Sequence, residues 1–432
     1  MSASATHNTG FNPNHLDEPV ITQALADGQH SPVLQAFFGA AAFAELTALA
    51  QQATAVRPEK HAPLVYLLPG LLGSKLGACT ARATELLWLD PLPLIAGKLQ
   101  QLSIGRRRSI RSIGVILPGY LKLKLSLQTA GFRVKLYPYD WRRSVTELGR
   151  SLAEDLLHEP SGEIMLVAHS MGGLVARTAL KQIGSSKVTR LVQLGTPNQG
   201  SFALVQALRG CYPTVRKLGA VDQIHSADML TRQVFHSFYS FHEMLPAQQH
   251  TPGLNLFDSR QWPQDVLTPL TERLRLGRRM SRHLAAADRR CHVVAGIDQS
   301  TVSGLRRQDN EFVFQYSNSG DGTVPLALAG WSGAQHWYVR EAHGQLPRNT
   351  QVCQATIELL RGETTHLLSQ HHETGDTQIS ERSEYELRSV LNGNVRWDQL
   401  PMNERRDLLE PVISPVFAAL CATHGHSGHI TG

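Results

Sequence analysis

The first fifty-six residues contain no lysine or arginine, and the first basic side chain is Arg57. A secretory signal opens on a basic region. Sec export is therefore not expected, and the expected location is the cytoplasm, with signal-less export still compatible. Cysteine is scarce: five residues (Cys79, Cys211, Cys291, Cys353, Cys421), odd in number, widely spaced and without a CxxC pair. That pattern excludes a disulfide framework and fits a reducing compartment. P-loop, HExxH and GxGxxG patterns are lacking, as are internal repeats, so neither a metal nor a cofactor is expected. The histidines and Cys421 of the tail (His424, His426, His429) have some metal-ligand character, but a polar tail explains them as well. Aromatics are few, at 6%, and do not interleave with the basic residues. No nucleic-acid partner is expected on that ground.

What is present suits a globular α/β chain: 432 residues, 42% apolar, 18% charged. The formal net charge of +6 is uneven. Basic residues gather at Arg106-Arg107-Arg108 with Arg111, and again from Arg273 to Arg290. Both stretches suit a solvated surface or a transient contact with anionic lipid. Oligomeric state is not readable from sequence.

Taken in order, residues 1–60 form an N-terminal extension. Pro32 to Gln52 reads as one helix, with Ser31 as its cap. It is almost long enough to span a bilayer, but Gln35, Glu45, Thr47 and Gln51 favour packing against the protein. Residues 61–200 alternate strand and helix patterns, which predicts a parallel sheet with helices on both faces. Within them, a lid-like loop at about 79–112 carries the greasy run Leu86 to Ile95, which includes two prolines. That run suits either a mobile flap or a segment packed on the core. Residues 201–290 lean helical and form an insertion, suited to a cap over a site or to a second packing layer. Strand patterns return at 291–360 (Cys291 to Ile297, Glu311 to Tyr316, Trp337 to Val339). Residues 361–432 are a polar extension with short helices at Tyr385 to Leu391 and Pro401 to Leu409.

One stretch carries the chemistry. Ile164 to Ala168 is apolar, Leu174 to Leu180 is helix-like, and His169-Ser170-Met171-Gly172-Gly173 joins them. Strand, tight turn and helix with serine at the turn describe a nucleophile elbow. Small residues are needed two positions to either side, and here they are Ala168 and Gly172. The usual first residue is glycine, from which alanine is the mildest departure. Such a turn exposes the Ser170 hydroxyl and sets the Met171 N–H near a helix N-terminus, where a developing oxyanion is stabilised. A second oxyanion donor is expected from the glycine-rich turn Pro69 to Ser74, at the Leu71 N–H or, failing that, Leu72.

A serine hydroxyl needs a base, and the base needs an acid to orient it. Asp321, in Ser319-Gly320-Asp321-Gly322-Thr323, and His343 follow Ser170 in the order Ser, Asp, His. Asp298 lacks the double-glycine turn, and Asp140 precedes the serine. His292 lies inside a strand pattern and His336 at a strand start, while His169 belongs to the elbow and shapes its pocket. The cluster Tyr139-Asp140-Trp141-Arg142 suits a substrate wall or a structural ion pair under a tryptophan.

These pieces together resemble the lecithin:cholesterol acyltransferase-like branch of the α/β-hydrolases, with its bacterial lipase, esterase and acyltransferase relatives. The resemblance rests on Leu67 to Ser74, Trp88-Leu89-Asp90, Tyr137 to Arg142, the elbow, Leu194 to Pro197, Gly320 to Pro325 and Ala342-His343, spanning roughly residues 64–345. It implies an α/β-hydrolase fold with a helical cap insertion. It implies Ser170, Asp321 and His343 as a triad and Leu71 and Met171 as oxyanion donors, and the Trp88 region resembles the family's mobile lid or lipid-contact segment; Leu72, Trp88, Trp141 and His169 are the expected substrate contacts. The implied substrate is a lipid-like or other apolar acyl ester, cleaved by water or passed to an alcohol. A non-catalytic binding protein on the same fold, and a lipase effector delivered without a signal, are readings the sequence also admits.

Overall fold

A computed structural model describes residues 11–80, 83–105, 109–184, 187–372 and 378–389. Its strands are β1 (Leu64–Leu68), β2 (Ser74–Cys79), β3 (Thr84–Trp88), β4 (Ile110–Val115), β5 (Arg133–Leu136) and β6 (Ile164–His169), followed by β7 (Val188–Leu194), β8 (Cys291–Gly296), β9 (Thr301–Gln308), β10 (Glu311–Ser317), β11 (Gln335–Val339) and β12 (Ser380–Ser383).

Six of them form the central sheet, in the order β11-β8-β7-β6-β1-β5. All its neighbours run parallel. The central strands β1 and β6 are buried at every position, and β1 and the first five residues of β6 are apolar throughout because both faces are covered. Along β1, Leu64, Tyr66 and Leu68 enter one core while Val65 and Leu67 enter the other. Along β6, Ile164, Leu166 and Ala168 face the first core, and Met165 and Val167 the second. This is the alternation a two-residue repeat imposes on a doubly buried strand. A leucine or valine so buried contributes roughly 1.5–3 kcal/mol of transfer free energy.

The connections decide where a ligand can sit. β1 leads through helix Leu117–Thr129 to β5 at one edge, whereas the adjacent β6 leads through helix Met171–Ile183 to β7 on the other side. Neighbouring strands whose chains depart in opposite directions leave a crevice at their carboxyl ends. The two segments opening there are Pro69–Ser74 and His169–Ser170.

Several expectations are revised. The helix expected over Pro32–Gln52 is two helices, Ser31–Phe38 and Ala40–Ala55, bent by 117° at Gly39. The Ser31 hydroxyl does not cap it and instead donates to the Gly28 carbonyl. No single described helix is long and apolar enough to cross a membrane. The greasy run after residue 79 packs on the core: Leu86, Leu87, Trp88, Leu89 and Leu94 are buried, and its first residues belong to β3, which forms a small antiparallel sheet with β2 and β4. Strand β9, not foreseen, pairs with β10 in a second antiparallel sheet, which β12 completes.

The extension after residue 361 is partly docked. Helix Glu384–Ser389 covers the described part of the expected Tyr385 to Leu391, of which residues 390 and 391 lie outside the described residues. Glu384 is buried against Arg209, at 2.8 Å through both carboxylate oxygens. Arg106–Arg108, the expected helix Pro401 to Leu409, and the tail with Cys421 and its histidines lie outside the described residues. The four described cysteines are unpaired thiols, and no group of possible metal ligands occurs among the described residues.

Candidate active site

Ser170 sits between β6 and helix Met171–Ile183 with φ 53° and ψ −125°. A non-glycine residue in this region stores backbone strain that the surroundings must hold. The hold is visible: the Ser170 N–H donates to the Leu194 carbonyl at 2.8 Å, tying the turn to the end of β7. Gly172 lets the turn close onto the neighbouring loop, since a Cβ there would lie 2.6 Å from the Pro69 carbonyl oxygen.

The serine meets two residues distant in sequence. Its Oγ is 2.8 Å from His343 Nε2, and His343 Nδ1 is 2.7 Å from Asp321 Oδ2. The second Asp321 oxygen accepts the N–H groups of Thr323 at 3.0 Å and Val324 at 2.7 Å. The His343 N–H donates to the Asp321 carbonyl at 2.8 Å, so base and acid are joined twice. With a carboxylate on Nδ1, the ring keeps its proton there and presents a lone pair at Nε2 to the serine hydroxyl. Gly195, with φ 60°, gives the pair its space: a Cβ there would lie 3.0 Å from His343 Nδ1.

The other candidate residues are elsewhere. Asp298 forms an exposed ion pair with Arg340 at 2.7 Å. Asp140 is buried and bound by Arg142 through two nitrogens, at 2.8 and 2.6 Å, the structural-ion-pair alternative. His292 is buried beside Trp337, and His336 accepts the Trp331 N–H.

Trp88 and Trp141, expected on the substrate wall, do not reach the pocket that holds Ser170. Both are buried beneath the glycine-rich loop and hold it. Trp88 Nε1 donates to the Leu72 carbonyl at 2.9 Å, and Trp141 Nε1 to the Ser74 carbonyl at 3.0 Å. Two tyrosines complete the grip: Tyr139 donates to the Pro69 carbonyl, and Tyr120 accepts the Gly70 N–H at 2.7 Å. Buried aromatic rings with a polar tip suit this task, because one side chain supplies both packing and a directed hydrogen bond. No hydrogen bond occupies the Leu71 or Met171 N–H among the described residues, and Leu71 borders the Ser170 pocket.

Sequence reading assigned His169 only a pocket-shaping part. It also closes a chain of hydrogen bonds. Its Nε2 faces the His343 carbonyl at 3.0 Å and its Nδ1 faces the Tyr120 hydroxyl at 2.9 Å. The carbonyl can only accept, so Nε2 carries the proton and Nδ1 accepts from Tyr120. Gly70, Tyr120, His169 and His343 are thus linked in series, joining the glycine loop to the loop of the base. Tyr120 had no recognisable signal in the sequence.

Burial, reinforced by the nearby His343, pushes His169 down to about 3. The unfolded chain takes up this proton near pH 6.5, while the native site resists it until about pH 3. The stability from His169 is therefore complete above pH 6.5 and falls as the pH drops toward 3, by a few kcal/mol in all, roughly 1.4 kcal/mol per pH unit. The His169→Gln variant is expected to show a flatter acid limb than wild type in urea titrations between pH 6.5 and 4. An unchanged limb would contradict this assignment.

The pocket over Ser170 holds about 380 Å³, within the range of small-molecule sites. Its walls include Leu71, Leu72, Ile116 and Val324, with His169 and His343 beside the serine. Leu204, Tyr212 and Met244 come from the 201–290 insertion, so that segment forms part of the wall.

The sequence model of the lecithin:cholesterol acyltransferase family matches residues 120–279, which include the elbow and most of the insertion. Over that stretch the chain is similar to the lecithin:cholesterol acyltransferase family. The matched stretch ends before Asp321 and His343, whose geometry is therefore an independent observation. No curated protein sequence matches this chain significantly. Solved structures similar to it include a chain of the Tle4–Tli4 complex, at 13% identity and TM-score 0.42, over 69% of this chain and 98% of that one. A Staphylococcus hyicus lipase matches at 11% identity and TM-score 0.31, over 71% and 98%. A carboxylesterase study of the thaumarchaeon Nitrososphaera gargenis supplies a third, at 14% identity and TM-score 0.25, over 56% and 75%.

Proposed function

We propose that this chain is a serine-dependent hydrolase of lipid-like acyl esters, working through an acyl-enzyme. The observation that carries the reading is the series Ser170–His343–Asp321 at 2.8 and 2.7 Å, opening on a pocket whose wall surface is mostly apolar.

In this reading His343 Nε2 takes the Ser170 proton as Oγ bonds to the ester carbonyl carbon. The carbonyl oxygen becomes an oxyanion beside the Met171 and Leu71 N–H groups, each donor contributing about 3–4 kcal/mol to the transition state. The oxyanion then collapses, the C–O bond breaks, and the leaving alcohol takes the proton from the imidazolium. Asp321 keeps the ring oriented and offsets its charge. Water then gives a proton to His343 Nε2 as its oxygen bonds to the acyl carbon; the C–Oγ bond breaks, the imidazolium returns the proton to Ser170 Oγ, and the acid leaves. The helix beginning at Met171 adds its positive end to the same place.

Transfer to an alcohol acceptor is the second reading, favoured by the family match over residues 120–279. It shares every step through the acyl-enzyme. Incubating the protein with a lipid extract, with and without a long-chain alcohol, and reading products by mass spectrometry separates the two. Free acid in both arms is the expected result. New ester in the alcohol arm, at the expense of free acid, would replace hydrolysis by transfer, and no product in either arm would contradict both.

A further inference from the structure

Between residues 271 and 290 the sequence holds seven arginines against two carboxylates, Glu272 and Asp288. That excess is five of the chain's formal net +6. Four of the seven, Arg275, Arg278, Arg279 and Arg282, are spaced i, i+3, i+4, i+7 along helix Thr271–Arg279 and the turn that continues it. All four are exposed and together line one concavity of about 350 Å³. None has a carboxylate partner among the described residues. Like charges three and four apart on a helix repel, and this stripe contains four such pairs. The arrangement weakens the helix that carries it, so stability does not account for it.

The opposite face of the helix is anchored. Leu274 and Gly277 are buried, a Cβ on Gly277 would lie 2.2 Å from the His242 carbonyl oxygen, and Arg273 stacks on the Tyr239 ring at 3.8 Å. The helix is thus fixed to Tyr239–Glu243, the segment leading directly into Met244 of the Ser170 pocket. Leading into it from the other side, Val266 is 66% exposed and Leu270 64% exposed. The segment from 266 to 282 therefore joins exposed aliphatic side chains to an unpaired arginine stripe. Interfacial binding to anionic bilayers uses this combination: aliphatic groups enter the headgroup boundary while guanidinium forks bind lipid phosphates.

We propose that this segment docks the protein on an anionic phospholipid surface. The choice of a bilayer over another polyanion rests on the reading of the chain as acting on lipid-like esters. Docking itself is measured without turnover, so the two can fail separately.

The test uses the full chain and co-sedimentation with phosphatidylcholine vesicles, with or without phosphatidylglycerol. Each arginine near such a surface contributes about 1 kcal/mol. Wild type is expected to partition onto the phosphatidylglycerol vesicles and to detach as salt is raised. Arg278→Gln with Arg282→Gln should weaken partitioning about thirtyfold, while lysine at both positions retains most of it. Hydrolysis of a short water-soluble ester should be unchanged in both variants, which also reports that they fold. Equal partitioning onto both vesicle types, or no loss in the glutamine variant, would overturn the proposal. So would binding to poly-glutamate without binding to vesicles, which would make the partner an acidic protein.

Discussion

Replacing Ser170 by alanine is expected to lower kcat by about 10⁴- to 10⁶-fold, the range seen when a triad nucleophile is removed. It should also abolish labelling by a fluorophosphonate, which reacts only with an activated serine. The magnitude follows from what is lost. Without Oγ no acyl-enzyme forms, and the remaining groups can only polarise a bound ester. The fold should survive, because Ser170 is held through its backbone N–H to Leu194 and its hydroxyl contacts His343. Alanine also relieves none of the strain at φ 53°, so little change in thermal midpoint is expected. Folded wild type that fails to label would favour a binding protein on this fold.

Asp321→Asn and His343→Ala carry the second large effect. Each is expected to reduce kcat by at least about a hundredfold, and as far as about 10⁴-fold, with KM little changed. An amide at 321 can still accept the N–H groups of Thr323 and Val324, so the turn should keep its shape. It cannot supply the negative charge that fixes the imidazole tautomer and balances the imidazolium. Asp298→Asn is the control. Its carboxylate pairs with Arg340 at the surface, and activity within about twofold of wild type is expected for so exposed a pair. The opposite pattern, with Asp298→Asn inactive and Asp321→Asn active, would move the acid to position 298.

The hydrogen-bond chain through Tyr120 and His169 bears on both experiments. It couples the glycine loop to the His343 loop. A substitution at either position disturbs oxyanion and base together, so such variants cannot assign a role to one of them. Burial raises the Tyr120 phenol well above its ordinary range, which keeps it a neutral donor to His169 at any working pH.

How much of this was legible beforehand depends on the range of the forces involved. The elbow, the glycine-rich turn, the Gly-Asp-Gly turn and the chain order of Ser170, Asp321 and His343 were readable because short-range sterics govern them: a sharp turn demands small residues wherever it occurs. The parallel central sheet was readable from continuous apolar strands separated by helices, since only a doubly covered sheet tolerates them. Trp88 and Trp141 were misplaced because a tryptophan at a loop's flank looks the same in sequence whether it faces a substrate or grips the loop from below. Strand β12 escaped because its partner β10 lies far back in the chain; β9, although β10 follows it after a short turn, ends in the polar run Arg306-Arg307-Gln308 and reads as a loop; the bend at Gly39 has a single glycine as its signal.

By itself, then, the sequence determined which residues could carry acyl chemistry and the kind of sheet that would present them. The tertiary structure alone decided which carboxylate lies beside His343, how the glycine loop is gripped, and that four arginines converge on one exposed face. The reason is distance along the chain. Ser170 and His343 are 173 residues apart. Their meeting depends on the register of β6, β7, β8 and β11, which every residue of the core sets together.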